Sequence, residues 1–184
     1  FMGALSSKLQ YKKPYMILFP GASWCGKMWP HHFFYDVGLQ LNKQYDWQIL
    51  VCGADLDYKA CKKIADQSPD VFVNLAGKTT LLELTELIRG AEILISNETS
   101  AVHIAAAVDT YSICILGGGH YGRFLPYPEH IKGSKPVVAV NHMQCFNCNW
   151  KCDQPHDPDE SVPCVLRISV QQVLDLIPKK KCKQ

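Results

Sequence analysis

The sequence predicts an α/β fold in which helices cover both faces of a doubly wound parallel sheet. Two observations carry that expectation. Short apolar runs of strand length alternate with segments of helical periodicity along almost the whole chain, the pattern of right-handed βαβ crossovers. The strand candidates are also continuously apolar rather than alternating, so both of their faces are buried.

The elements follow in order. Residues 1–13, ending at Lys12-Lys13 ahead of Pro14, have the composition of a linker. Tyr15-Met16-Ile17-Leu18-Phe19 is the first strand, stopped by Pro20-Gly21. Trp29-Pro30 opens a helix with proline near its first turn, and Phe33, Phe34, Val37 and Leu41 recur on one face. Trp47 to Cys52 is the second strand. Asp55 or Asp57 is placed to cap the helix carrying Ala60, Cys61, Ile64 and Ala65. Val71-Phe72-Val73 is a short third strand. Thr80 and Glu83 form a capping box for a helix running through Leu87 and Ile88 to Gly90. Glu92 to Ser96 is a fourth strand and Ser100 to Val108 a short apolar helix. Tyr111 to Leu116 is a fifth strand, followed by three glycines. Pro136 to Val140 is a sixth, and Val170 to Ile177 the closing helix. The stretch 142–164 breaks the alternation; it is a polar, Cys-rich excursion within one domain spanning 14–178.

Composition narrows the function. The chain has 184 residues, is 47% hydrophobic and 20% charged, and carries a net charge of +2. A disordered chain would be poorer in apolar residues. A whole-surface nucleic-acid binder would be far more basic, so no nucleic-acid partner is expected. No apolar run reaches membrane-spanning length, about 18 residues. The start, Phe1-Met2-Gly3, lacks a basic region followed by an apolar one, so no signal peptide is expected. Phe ahead of Met is what a piece of a longer protein would show. Nine cysteines, an odd number without a secretion signal, fit a reducing, cytoplasmic setting better than a disulfide scaffold.

In an open parallel sheet ligands bind outside the carboxyl ends of the strands, so the loops after each strand carry the chemistry. Gly21-Ala22-Ser23-Trp24-Cys25-Gly26-Lys27-Met28 nearly matches a phosphate-binding loop, but Met28 stands where a magnesium-binding hydroxyl is required. Lys27 is either a phosphate contact or a solvated loop lysine, and Ser23 lies on the same loop. In Ser96-Asn97-Glu98-Thr99-Ser100, Thr99 and Ser100 can donate to phosphate oxygens at a helix N-terminus. Glu98 either takes ribose hydroxyls or caps the helix. His103 is either a core histidine or a ligand contact. In Gly117-Gly118-Gly119-His120-Tyr121-Gly122-Arg123 the glycines allow close backbone approach, while His120 and Arg123 add positive charge. Asp55 or Asp57 is open to a ribose contact.

These loops together resemble glycosyltransferase family 9, the heptosyltransferases of bacterial lipopolysaccharide core synthesis. The resemblance rests on P-G-A-S-x-x-G-K-x-W-P from Pro20, L-A-G-K-T-T-L-L-E-L-T-E-L-I from Leu75, S-N-E-T-S-A-V-H-I-A-A-A from Ser96 and I-L-G-G-G from Ile115. It covers residues 14 to 178 and matches the C-terminal half of the family's GT-B architecture, in which two Rossmann-like domains face across a cleft. It implies that this half binds a nucleotide-sugar donor, ADP-heptose above all. The acceptor, a lipopolysaccharide core, and the general base would then belong to an N-terminal half, with no catalytic residue here. From the loops and the resemblance together, the expected donor-binding residues are Ser23, Lys27, Asp55, Glu98, Thr99, Ser100, His103, Gly118 and Arg123, of which Lys27, Glu98, Thr99, Ser100 and His103 stand at the family's own motif positions. Glu98 stands where the family usually has Asp, and Ser100 where it commonly has Gly. The reaction it implies is inverting and independent of a metal, with no cofactor required. The other readings are a non-catalytic nucleotide-binding module with a zinc-stapled Cys loop and a P-loop NTPase, the latter opposed by Met28.

Cys145, Cys148, Cys152 and Cys164 supply four thiols within 20 residues. A structural zinc site, free thiols and disulfides all remain open for them. The basic tail 179–184 is either a solvated end or a weak attraction to anionic lipid on the cytoplasmic face of the inner membrane.

Overall fold

The computed structural model describes residues 13–178; the linker expected at 1–13, apart from Lys13, and the basic tail lie outside the described residues. Six strands form one parallel sheet: β1 (Tyr15–Phe19), β2 (Gln48–Val51), β3 (Phe72–Asn74), β4 (Leu94–Asn97), β5 (Ser112–Ile115) and β6 (Val137–Ala139). Their order is β3-β2-β1-β4-β5-β6, and every neighbouring pair is parallel. The expected fold class is therefore the observed one.

Side chains alternate across the sheet with period two, which builds two cores. Met16, Leu18, Ile49, Val51, Ile95, Ile113 and Ile115 face one layer of helices. That layer contains α1 (His31–Tyr45), α2 (Tyr58–Ala65), α5 (Pro163–Leu166) and α6 (Val170–Asp175). It contributes Phe34, Val37 and Leu41 from α1, Cys61 and Ile64 from α2, and Val165 and Val173 from the last two. The opposite face presents Ile17, Leu50, Cys52, Leu94, Cys114 and Leu116. These pack on Leu87 and Ile88 of α3 (Leu81–Gly90) and on Ala101, Val102 and Ala105 of α4 (Ser100–Ala107). The small side chains of α4 bring its backbone close to the sheet, which matters because its N-terminus opens onto the site.

Local chemistry explains the helix ends. Thr80 Oγ1 accepts from the Glu83 amide while the Glu83 carboxylate accepts from the Thr80 amide. Ser169 and Gln172 repeat this arrangement at α6. α1 stops where Asp46 takes a left-handed conformation with φ 55°. Asp57 does not cap α2 with its side chain; its carboxylate instead accepts from the Ala54 amide and closes the turn before the helix.

Most element ends agree with the sequence expectation to within two residues, and two elements differ in a way that bears on the site. β4 lies two residues further along at its start, because Leu94 and Ser96 are held in register with Ile17 and Phe19 of β1. Ser96 and Asn97 are consequently inside the sheet and fully buried. The short helix α5 was not anticipated; Pro163 at its first position satisfies the backbone geometry there. Among the described residues no helix is long and apolar enough to cross a membrane.

Candidate functional site

The strand order reverses direction between β1 and β4. At such a switch point the two following loops diverge to opposite faces and leave a crevice. Here those loops are 20–30, after β1, and 98–99, leading into α4.

Asn97 ties them together. Its Nδ2 donates to the Pro20 carbonyl at 2.7 Å, and its Oδ1 accepts from the Trp29 amide at 2.9 Å. Trp29 is itself fully buried and its indole N–H donates to the Ile168 carbonyl at 2.7 Å. The loop after β1 is thus pinned at both ends.

Lys27 ends a single turn of 3₁₀ helix, Cys25–Lys27. Its Nζ lies 4.6 Å from the centre of the Trp150 ring. Glu98 is the loop's counterpart across the switch point. Thr99, not Glu98, caps α4: its hydroxyl accepts from the Ala101 amide at 3.3 Å and lies 3.1 Å from the Ser96 hydroxyl. Capping as the role of Glu98 is therefore overturned. Both Glu98 carboxylate oxygens are buried without a hydrogen-bond partner among the described residues. Burial pushes the Glu98 carboxyl above its ordinary range, while Lys27 and His120 pull it back down. An acceptor pair desolvated beside a lysine and a histidine is suited to hydroxyl donors.

The remaining expected residues are distributed unevenly. Ser100 is exposed at the first position of α4 and Ser23 is exposed on the loop after β1. His103 lies half-buried on α4, its Nδ1 2.5 Å from the Tyr127 hydroxyl; burial lowers its pKa, which favours the neutral ring. Arg123 is exposed and its guanidinium rests 5.2 Å from the centre of the Phe124 ring. Asp55 is exposed and packs by Gly77. It is Asp57 whose carboxylate lies against Gly21, so closely that a Cβ on Gly21 would overlap it. Of the two aspartates, Asp57 borders the loop after β1.

The glycine run behaves differently from the expectation that it leaves room for a ligand. A Cβ on Gly117 or Gly119 would overlap the Trp150 ring, and one on Gly118 the Phe146 ring. The Gly118 amide donates to Cys164 Sγ at 3.3 Å. The glycines thus admit the Cys-rich excursion, whose Asn147 and Asn149 amides donate to the Gly118 and Gly119 carbonyls at 2.7 and 3.0 Å.

Trp150 is the residue the sequence did not single out. Its ring meets Trp24 and His120 edge-on, each at 5.9 Å between centres, as well as Lys27. Its indole Nε1 is buried without a partner among the described residues. Nothing in the local pattern Asn149-Trp150-Lys151 signals that role. Asn97 was equally silent, being one polar residue in a polar loop.

The eight described cysteines are free thiols, so disulfides are not formed among them. No group of three or more His, Cys, Asp or Glu side chains is gathered at metal-holding distance among the described residues. The structure thus does not display the expected zinc site as a preformed cluster.

A parallel sheet whose switch point is bordered by Lys27 and the desolvated Glu98 carboxylate is that of a Rossmann-like α/β domain. The chain belongs to glycosyltransferase family 9 (heptosyltransferase), whose model matches residues 2–154. It is 31% identical over 111 residues to lipooligosaccharide heptosyltransferase 2 of Haemophilus influenzae, covering 58% of this chain and 32% of that one. It is 31% identical over 125 residues to lipopolysaccharide heptosyltransferase 3 of Escherichia coli, covering 67% and 36%. The fold is similar to that of E. coli ADP-heptose lps heptosyltransferase II, with a TM-score of 0.73 at 22% identity over 93% of this chain and 48% of that one. The chain spans about a third of the length of these two curated relatives.

Proposed function

We propose that this chain is the donor-binding half of a glycosyltransferase that moves a sugar, heptose in the first instance, from a nucleoside diphosphate to a lipopolysaccharide core acceptor. The observation that carries the reading is the Glu98 carboxylate, desolvated and unpartnered beside Lys27 and His120 at the β1–β4 crevice. Such a site needs both hydroxyl donors for the carboxylate and an anion for the lysine. A nucleotide sugar supplies both. The names of the relatives, which include ADP-heptose, favour adenosine diphosphate as the nucleotide.

In this reading the Lys27 ammonium and the N-terminus of α4 stabilise the diphosphate as it departs. Met28 holds the position of a magnesium-binding hydroxyl in a phosphate loop, which favours neutralisation by side chains and helix dipole. Glu98 accepts hydroxyls of the ribose or sugar, Thr99 and Ser100 border the diphosphate, and His103 with Tyr127 supports the α4 side of the crevice. Ser23, Arg123 and Asp55 form the outer border. A base in the other half takes the proton of an acceptor hydroxyl. That oxygen attacks the anomeric carbon, and the bond to the diphosphate breaks with inversion, its electron pair leaving with the nucleotide. The acceptor and that base belong to the N-terminal half of the full protein, which works at the cytoplasmic face of the inner membrane.

Calorimetric titration of the protein with ADP, UDP and GDP, with and without added Mg²⁺, tests the reading. Selective ADP binding, insensitive to Mg²⁺ and weakened about tenfold in Lys27→Ala, a loss of about 1.4 kcal/mol, is expected. Binding that ignores Lys27 and Glu98, or that requires Mg²⁺, would overturn it.

A further inference from the structure

We infer that Cys145, Cys148, Cys152 and Cys164 form a tetrathiolate site for one thiophilic transition-metal ion, zinc or iron, which staples the Cys-rich excursion to the glycine run. All four thiols line a single cavity of about 10 Å³, whose other walls include Phe146 and Trp150. That volume is about one water molecule's worth, and its walls offer little but sulfur as a polar partner. The sequence spacing, Cys-x-x-Cys followed by two further cysteines, supplies the four ligands a tetrahedral ion takes. The thiols are splayed around the cavity rather than gathered at ligand distance. Three of the four sit on irregular chain, so side-chain rotation and a small closure of the loop bring sulfur to about 2.3 Å from an ion without moving the sheet.

Independent features point the same way. The excursion runs for about 20 residues between β6 and α5 without a helix or strand. Loops of that length in a compact domain are uncommon and are usually functional when ordered. Asn147, Asn149 and Trp150 all adopt left-handed conformations, with φ of 67°, 52° and 61°. Asparagine tolerates this; tryptophan does so only where surrounding structure forces it. The strained residues lie between the second and third cysteines or within the first pair, where the chain must curl around a common centre. The Gly118 amide aimed at Cys164 Sγ is the kind of outer hydrogen bond that supports a thiolate ligand. Binding releases the thiol protons to solvent and leaves the oxidation state of sulfur unchanged.

The test is metal analysis of the full chain purified under reducing conditions without chelator or affinity metal. About one ion per chain is expected. Iron would show as visible sulfur-to-metal charge-transfer absorption, and zinc would be colourless. Cys148→Ser and Cys164→Ser should lose the ion, while Cys61→Ala, whose thiol is carried by α2 into the core, should keep it. Stepwise mercurial modification of the wild type does not depend on a variant folding, and should release the ion in proportion to thiols modified. A folded, fully reduced chain that takes up less than about a tenth of an equivalent after incubation with Zn²⁺ or Fe²⁺ would overturn the inference. So would full metal content in both serine variants.

Discussion

Asn97 and Pro20 are 77 residues apart in the chain, yet the Asn97 carboxamide donates to the Pro20 carbonyl at 2.7 Å across the switch point. The same carboxamide accepts from the Trp29 amide. Asn97 is fully buried, so removing it leaves two backbone groups unsatisfied. Asn97→Ala should cost about 2–4 kcal/mol, read as a lowered denaturant midpoint. Asn97→Asp keeps the acceptor and loses the donor, and should fall between the two.

Glu98 gives a pH dependence of definite sign. Its folded carboxyl titrates above the ordinary range because of burial. Such a group favours the folded state most when protonated, below its unfolded pKa, and that contribution is lost as pH rises through the folded pKa. Glu98→Gln should therefore raise the melting temperature at pH 7, and its advantage over wild type should shrink as pH falls towards 4. An unchanged difference across that range would contradict the burial of this carboxylate.

The glycine run should be intolerant of even one carbon. Gly118→Ala and Gly119→Ala place a Cβ into the Phe146 and Trp150 rings, and overpacking of this kind costs about 1–3 kcal/mol. Gly133 has nothing within 4 Å of an added Cβ but has φ +96°. Gly133→Ala should be destabilising through backbone strain alone and should leave tryptophan emission unchanged. The two packed positions should shift it.

Thiol reactivity should divide by burial. Burial pushes Cys52 and Cys61 up to about 12, and raises Cys114 as well. At pH 8 these three thiols should resist iodoacetamide in the native protein and react only after unfolding, as peptide mapping would record. Alkylation of Cys52 in the folded chain would show that the sheet opens locally around β2.

Sequence pattern reached the sheet and not the crevice's detail. β1 was legible because Met16, Ile17 and Leu18 are apolar on both sides, the mark of a strand covered twice. The Thr80–Glu83 box was legible because a cap is a local event. Glu98 could not be assigned by local physics, since capping by Glu98 or by Thr99 looks alike until the loop's path is known. Asp55 and Asp57 are two residues apart and equally acidic; only the fold sets Asp57 against Gly21. The glycine run was legible as a place of close approach, but its neighbour proved to be Phe146 and Trp150. No periodicity reports a meeting between residues 117–119 and 146–150.

That meeting has a consequence for descent. Glycine at 117–119 is demanded by the Phe146 and Trp150 rings, far along the chain, so neither segment is free to drift while the other is kept. A lineage that shed the excursion would release three codons from constraint, and one that acquired it would need those glycines already in place. The two stretches are a single unit of inheritance written in two parts of the gene.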